Sequence, residues 1–237
     1  MKRTRRRRYR RIAVVAATLV AFLGVVLTAQ LTSGRGPVAT PSPGASGAAS
    51  DTREFTLVRR DQSDPMALGD VDAPVVLVEW TDMRCPYCAV FSRDTLPVLL
   101  REYVDTGKVR IEVHDVAYFG EQSENAAVAA RAAGNQGKFF AYLSAVYEEA
   151  PDGKHADLPR ERLIDFARQA GVPDISRFTA DLDDTGLRAA AQASNTKAAQ
   201  LGVTSVPFFV AGDRALAGAQ PISVFREFLD AAIAKAG

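Results

Sequence analysis

Only two cysteines occur in the chain, Cys85 and Cys88, and they stand two residues apart in the stretch EWTDMRCPYCAVF. Thiols at that spacing serve as a structural disulfide, as half of a metal site, or as a redox couple. A structural bridge stabilises by closing a loop, and one enclosing Pro86 and Tyr87 alone closes almost nothing. A zinc site asks for about four nitrogen or sulfur ligands in local pairs. His114 and His155 are the only histidines, 41 positions apart, and each reads as an ordinary surface or core residue, so no metal is expected. The redox couple is the reading that the surrounding residues favour.

The flanking elements supply what a redox couple needs. Residues 74–80, PVVLVEW, form a short β-branched run bounded by GDVDAP, which predicts a buried central strand. Leu96, Leu99, Leu100 and Tyr103 then recur at helical spacing, so a helix starts at the cysteines, with Pro97 expected to kink it. Pro86 fits the first helical turn, where its missing N–H would have no intrahelical partner. Cys85 then lies at a helix N-terminus, where unpaired amides and the helix dipole favour the thiolate. Cys85 is the expected nucleophile and Cys88 the resolving thiol. The adjacent Arg84 would favour the thiolate and Asp82 would oppose it.

Farther along, residues 109–116 alternate as a second strand, followed by an Ala-rich helical stretch. Phe139, Leu143, Val146 and Tyr147 mark one helix face, and Leu163, Phe166, Ala167 and Ala170 another. Leu187, Ala191, Ser194, Ala198 and Leu201 mark a third. A strand pair, VPFFVAG and RALAG, turns at Gly212 and Asp213, and residues 221–236 close the chain as an amphipathic helix.

This order, with C-P-Y-C at a helix start and GVTSVPFFV before the strand pair, resembles the DsbA-like family. Exported or membrane-anchored bacterial members of the BdbD kind are the nearest in pattern. The resemblance covers residues 57–236 and implies an α/β thioredoxin fold with a helical insertion. It implies a cis-proline at Pro207, lying against the sulfurs, and Val206 offering its backbone to an extended substrate, with Pro86 and Tyr87 on the same substrate-binding face. It also implies that Glu79, six residues before Cys85, is a buried carboxyl with a raised pKa that exchanges a proton with Cys88.

Ahead of this domain, assigned to residues 51–237, the composition changes. Residues 1–11 carry eight basic side chains and residues 12–31 are an uncharged apolar run, long enough to span a bilayer. The cluster holds its own side in the cytoplasm, so the chain reads as a single-pass signal anchor with its catalytic domain outside. A cleaved signal peptide is the rival, but its apolar core usually spans about 7 to 15 residues. Residues 32–50 are small, polar or Pro and read as a flexible tether of about 25 Å mean reach. Nine of the 29 basic residues precede Asp51 and none of the 28 acidic ones do, so the remainder carries a net charge of about −8. The arginine run, directly before an apolar span, reads as a topology signal rather than a nucleic-acid patch, so nucleic acid is not an expected partner.

The expected activity is thiol–disulfide exchange without a cofactor, in an exported compartment that favours disulfide formation. The resemblance implies an oxidase that acts on thiols and disulfides of exported proteins and is reoxidised by a membrane redox partner. Tyr87 stands where the strongest oxidants of this fold have His, which points to a milder oxidant. A reductase or isomerase is the alternative reading, and a non-catalytic binding or holdase domain is a third.

Overall fold

A computed structural model describes residues 57–237. The basic segment, the apolar run and the tether, residues 1–50, lie outside the described residues. Among the described residues no helix is long and apolar enough to cross a membrane.

Five strands form one mixed sheet: β1 (Ala67–Leu68), β2 (Val75–Thr81), β3 (Val109–Asp115), β4 (Phe208–Ala211) and β5 (Arg214–Ala217). Their spatial order is β1-β3-β2-β4-β5. Strand β2 runs parallel to β3 and antiparallel to β4, and all seven of its residues are buried. A strand covered on both faces reads as a continuous apolar run rather than an alternating one, which is why VVLV was legible. The carboxyl of Glu79 is carried into the interior by this strand.

The parallel pairing of β2 with β3 requires a crossover, and the helix beginning at the cysteines provides it. It starts as α1 (Pro86–Val90), passes through a π-helical turn over Phe91–Thr95, continues as α2 (Leu96–Leu99) and widens again over Leu100–Val104. Pro97 has no N–H to donate. The interruption expected there takes the form of a π turn, in which Leu96 N–H donates to the Phe91 carbonyl five residues back.

Between β3 and β4 stands an all-helical insertion: α3 (Glu121–Gly134), α4 (Phe139–Glu148), α5 (Arg160–Gln169), α6 (Ile175–Asp181) and α7 (Thr185–Gln200). Helix α3 is its axis, with Ala126, Ala127, Ala129, Ala130, Ala132 and Ala133 all buried. Alanine has high helix propensity, and its short side chain lets neighbouring helices approach from several sides. Helices α6 and α7 begin where Asp174 and Asp184 accept hydrogen bonds from the Arg177 and Leu187 amides, at 2.8 and 2.7 Å.

Helix α7 ends earlier than its apolar spacing predicts. Leu201 is its C-cap and is exposed, because Gly202 takes φ +76° and turns the chain. Val203 N–H then donates to Ala198 O at 3.0 Å and Gly202 N–H to Ala199 O at 3.1 Å, a Schellman closure. This stop delivers residues 203–206 to the cysteines. The last helix, α8 (Ile222–Ala236), buries Phe225, Phe228, Leu229 and Ala232.

Candidate active site

Cys85 is the N-cap of α1, in extended conformation with Pro86 at the first helical position. Its N–H donates to Asp82 O at 3.0 Å, and its carbonyl accepts from Ala89 at 3.1 Å. Both cysteines are free thiols, Cys85 nearly buried and Cys88 wholly so. The contact with Cys88, together with the amide N–H groups of Cys88 and Tyr87, lowers the Cys85 pKa against the opposing effects of burial and of the Asp82 charge. Burial, and then the Cys85 sulfur, push the Cys88 thiol well above its ordinary range. The two thiols are thus made unequal: Cys85, at the N-cap, gives up its proton more readily than Cys88 behind it.

The Val206–Pro207 peptide bond is cis, and Cys85 Sγ lies 3.4 Å from the Val206 carbonyl oxygen, to which the thiol donates. Above this contact opens a groove of about 750 Å³, walled by Pro86, Tyr87, Tyr118, Phe119, His155 and the loop from Val203 to Val206. Tyr87 projects into solvent, 63% exposed. Of the two histidines, His155 packs its ring 4.0 Å from Phe119 on the groove wall. His114 stacks on Trp80 at 5.3 Å, and burial first and the Arg59 charge second lower its pKa to about 4.

Asp82 has a larger part than its charge alone suggested. It is fully buried, and its carboxyl accepts from Arg84 N–H (2.8 Å), Tyr118 N–H (2.8 Å) and Ser123 Oγ (2.9 Å). Tyr118 in turn donates its hydroxyl to Val203 O at 2.6 Å. Asp82 and Tyr118 therefore tie the turn before Cys85 to the loop that carries Val206. An Asp accepting from the amide two residues on is a turn device, so the Asp-Met-Arg spacing held a signal for it. Arg84 is turned away from the thiolate, its guanidinium donating to the carbonyls of Phe119 and Ala156.

Glu79 is buried, and desolvation raises its pKa to about 8, with the Thr81 hydroxyl the opposing influence. Thr81 lies two residues on along β2 and so shares a face with Glu79. Its hydroxyl is fully buried and bonded at 2.7 Å to Tyr147 OH. Tyr147 OH makes a second bond, to Asp82 O at 3.2 Å. Neither Thr81 nor Tyr147 was singled out by sequence chemistry. Thr81 was within reach of the period-two rule from Glu79, whereas Tyr147 was visible only as one residue of a helix face.

A family model described as Thioredoxin matches residues 61–231. A probable disulfide bond formation protein D of Bacillus anthracis is 28% identical over 149 residues, covering 61% of this chain and 68% of that protein. Among solved structures, oxidised BdbD from Bacillus subtilis matches with a TM-score of 0.67 at 22% identity, covering 73% of this chain and 94% of that one. A thioredoxin-like oxidoreductase from Silicibacter pomeroyi DSS-3 matches with a TM-score of 0.60 at 29% identity, covering 73% and 93%. The chain belongs to the thioredoxin family and is a DsbA-like thiol–disulfide oxidoreductase.

Proposed function

We propose that the chain is a membrane-tethered oxidase that introduces disulfides into exported proteins outside the cytoplasm. Cys85 is its nucleophile and point of substrate attack, and Cys88 is its resolving thiol. The observation that carries the roles of the thiols is their placement: Cys85 lines the groove, 3.4 Å from the Val206 carbonyl oxygen, and Cys88 is wholly buried behind it. Residues 1–11 stay cytoplasmic, 12–31 anchor, 32–50 tether, and 51–237 form the catalytic domain, supported by the basic cluster before the uncharged run.

A substrate thiolate attacks the Cys85 sulfur of the Cys85–Cys88 disulfide. That S–S bond breaks, and Cys88 leaves and takes a proton from the Glu79 carboxyl. A second substrate thiolate then attacks its partner sulfur in the mixed disulfide and expels Cys85 as thiolate. Two electrons pass from the substrate to the cysteine pair, and a membrane redox partner accepts them to renew the disulfide. The substrate segment lies extended along Val206 and Pro207, with Pro86 and Tyr87 on the opposite wall of the groove. Main-chain recognition of this kind gives broad substrate choice.

A reductase or isomerase is the second reading, favoured by the Asp82 charge, which opposes the Cys85 thiolate, and by Tyr87 in place of a cationic residue. Equilibrating the full-length protein in detergent with glutathione buffers separates the two. A potential near ~ −120 mV supports the oxidase, and one near ~ −270 mV overturns that direction. Cys85→Ser should abolish peptide oxidation, and Cys88→Ser should accumulate mixed disulfides on Cys85. Full activity in Cys85→Ser would sink the mechanism.

A further inference from the structure

The walls of the groove converge on residues 116–119, the segment between β3 and α3. Val116 N–H donates to Thr81 O at 2.9 Å and Tyr118 N–H to the Asp82 carboxyl at 2.8 Å, which fixes the segment to the turn before Cys85. Ala117 N–H donates to the Asn195 side-chain oxygen of α7 at 3.1 Å. The Phe119 carbonyl accepts from the Arg84 guanidinium, whose Nε donates to Ala156 O in the stretch that carries His155. The Tyr118 hydroxyl reaches the loop before the cis-proline, donating to Val203 O at 2.6 Å.

That loop is pinned at its two ends and open between them. Val203 is buried, its N–H held by Ala198 O and its carbonyl by Tyr118. At the far end the Pro207 carbonyl accepts from Gly218 N–H at 2.8 Å. Thr204 and Ser205 are exposed, and Val206 follows them with its carbonyl 3.4 Å from Cys85 Sγ. The place of Val206 relative to Cys85 therefore depends on the pin at Val203, and the Tyr118 hydroxyl is the part of that pin that comes from the Cys85 side.

We propose that residues 116–119 brace the groove at the width a substrate strand needs, and that the Tyr118 hydroxyl is a positioning group for the Val206 backbone. This rests on the reading that substrate adds as a strand along Val206. Paired strands lie at a fixed spacing of about 4.8 Å, so a loop free to shift offers the same backbone groups in fewer productive arrangements. Apparent affinity then falls in proportion to the fraction of molecules with the loop in place. The turn before Cys85 is spared, because the Asp82 carboxyl is held by the N–H groups of Arg84 and Tyr118 and by the Ser123 hydroxyl, none of which involves the tyrosine hydroxyl. Loss of that hydroxyl therefore weakens binding without slowing the exchange of bound substrate.

The test is single-turnover oxidation of a reduced two-cysteine peptide by the oxidised full-length protein in detergent, followed over a range of peptide concentrations. Tyr118→Phe keeps the ring on the groove wall and the N–H on Asp82, and removes the clasp on Val203 alone. It should raise the half-saturating peptide concentration roughly two- to tenfold, the range for one lost hydrogen bond, with the rate at saturation unchanged. An unchanged half-saturating concentration overturns the brace. So does a fall in the saturating rate alone, since a hydroxyl that merely supports the fold lowers the active fraction without moving that concentration. The wild type tests the underlying reading separately. A peptide N-methylated on both sides of its cysteines cannot donate main-chain N–H groups to Val206 and should need a higher concentration to saturate. Equal handling of the two peptides would overturn main-chain recognition, and the brace with it.

Discussion

At the scale of single residues, the site sets two neighbouring thiols apart, lowering the pKa of Cys85 and raising that of Cys88. Alkylation of the reduced protein with iodoacetamide at mildly acidic pH should therefore modify Cys85 and spare Cys88, read by peptide mass spectrometry. Equal labelling would contradict the asymmetry. Glu79 carries a second consequence. Its carboxyl holds a proton up to about pH 8 in the folded protein, whereas an exposed glutamate loses it near 4.5. The stability it contributes is full below the unfolded value and is lost as pH rises toward the folded one. Glu79→Gln should thus be more stable than the wild type by about 3 kcal/mol at neutral pH and nearly equal to it in acid, measured by urea unfolding of the reduced protein. A difference that does not grow with pH would mean the carboxyl is ionised in the fold. The cysteines and Glu79 were legible because their types are rare in a central strand and a helix start. Thr81, Tyr118 and Tyr147 were not, because a hydroxyl shows no role until a distant segment meets it.

At the scale of elements, the strand before the cysteines, the second strand and the closing helix followed from apolar pattern. The two-residue β1 and the seven-residue α6 did not, since neither is long enough to display a period. Helix α3 is a different case. Six of its nine buried residues are Ala, so composition announced a helix without revealing that it would be enclosed on most sides. Enclosure predicts intolerance to bulk. Ala130→Leu should cost about 1 to 3 kcal/mol by overpacking, measured by thermal or urea unfolding, although leucine is nearly as good a helix former as alanine. The stop of α7 is equally local in cause. A Cβ on Gly202 would meet no atom within 4 Å, so Gly202→Ala should cost only the conformational penalty of positive φ, about 1 to 2 kcal/mol in the same experiment.

For the whole molecule, the division between a basic head and an acidic remainder was plain in the sequence, while the fastening of the domain's entry was not. Glu112 is buried in β3 and accepts from the amides of Arg59 and Arg60 at 2.6 and 2.9 Å and from the Arg110 guanidinium at 2.9 Å. Burial works against its ionised form, but these donors prevail and its pKa falls below the ordinary 4.5. Removing the cation leaves a buried charge without its partner. Arg110→Met should therefore destabilise the domain by about 3 to 5 kcal/mol, measured by chemical unfolding at neutral pH. The anchor proposed for residues 12–31 has its own test. The full-length protein should remain with membranes through alkaline carbonate extraction, and recovery of a soluble form with a new N-terminus would mean the segment is cleaved.

The contact between Cys85 and Val206 joins residues 121 positions apart, whereas the two cysteines are near neighbours and no others exist. The chain has no wrong partner for either thiol, and nearly all of it must emerge and fold before its reactive sulfur meets the backbone that completes the groove. A thiol–disulfide oxidoreductase built this way draws on no disulfide of its own for its shape.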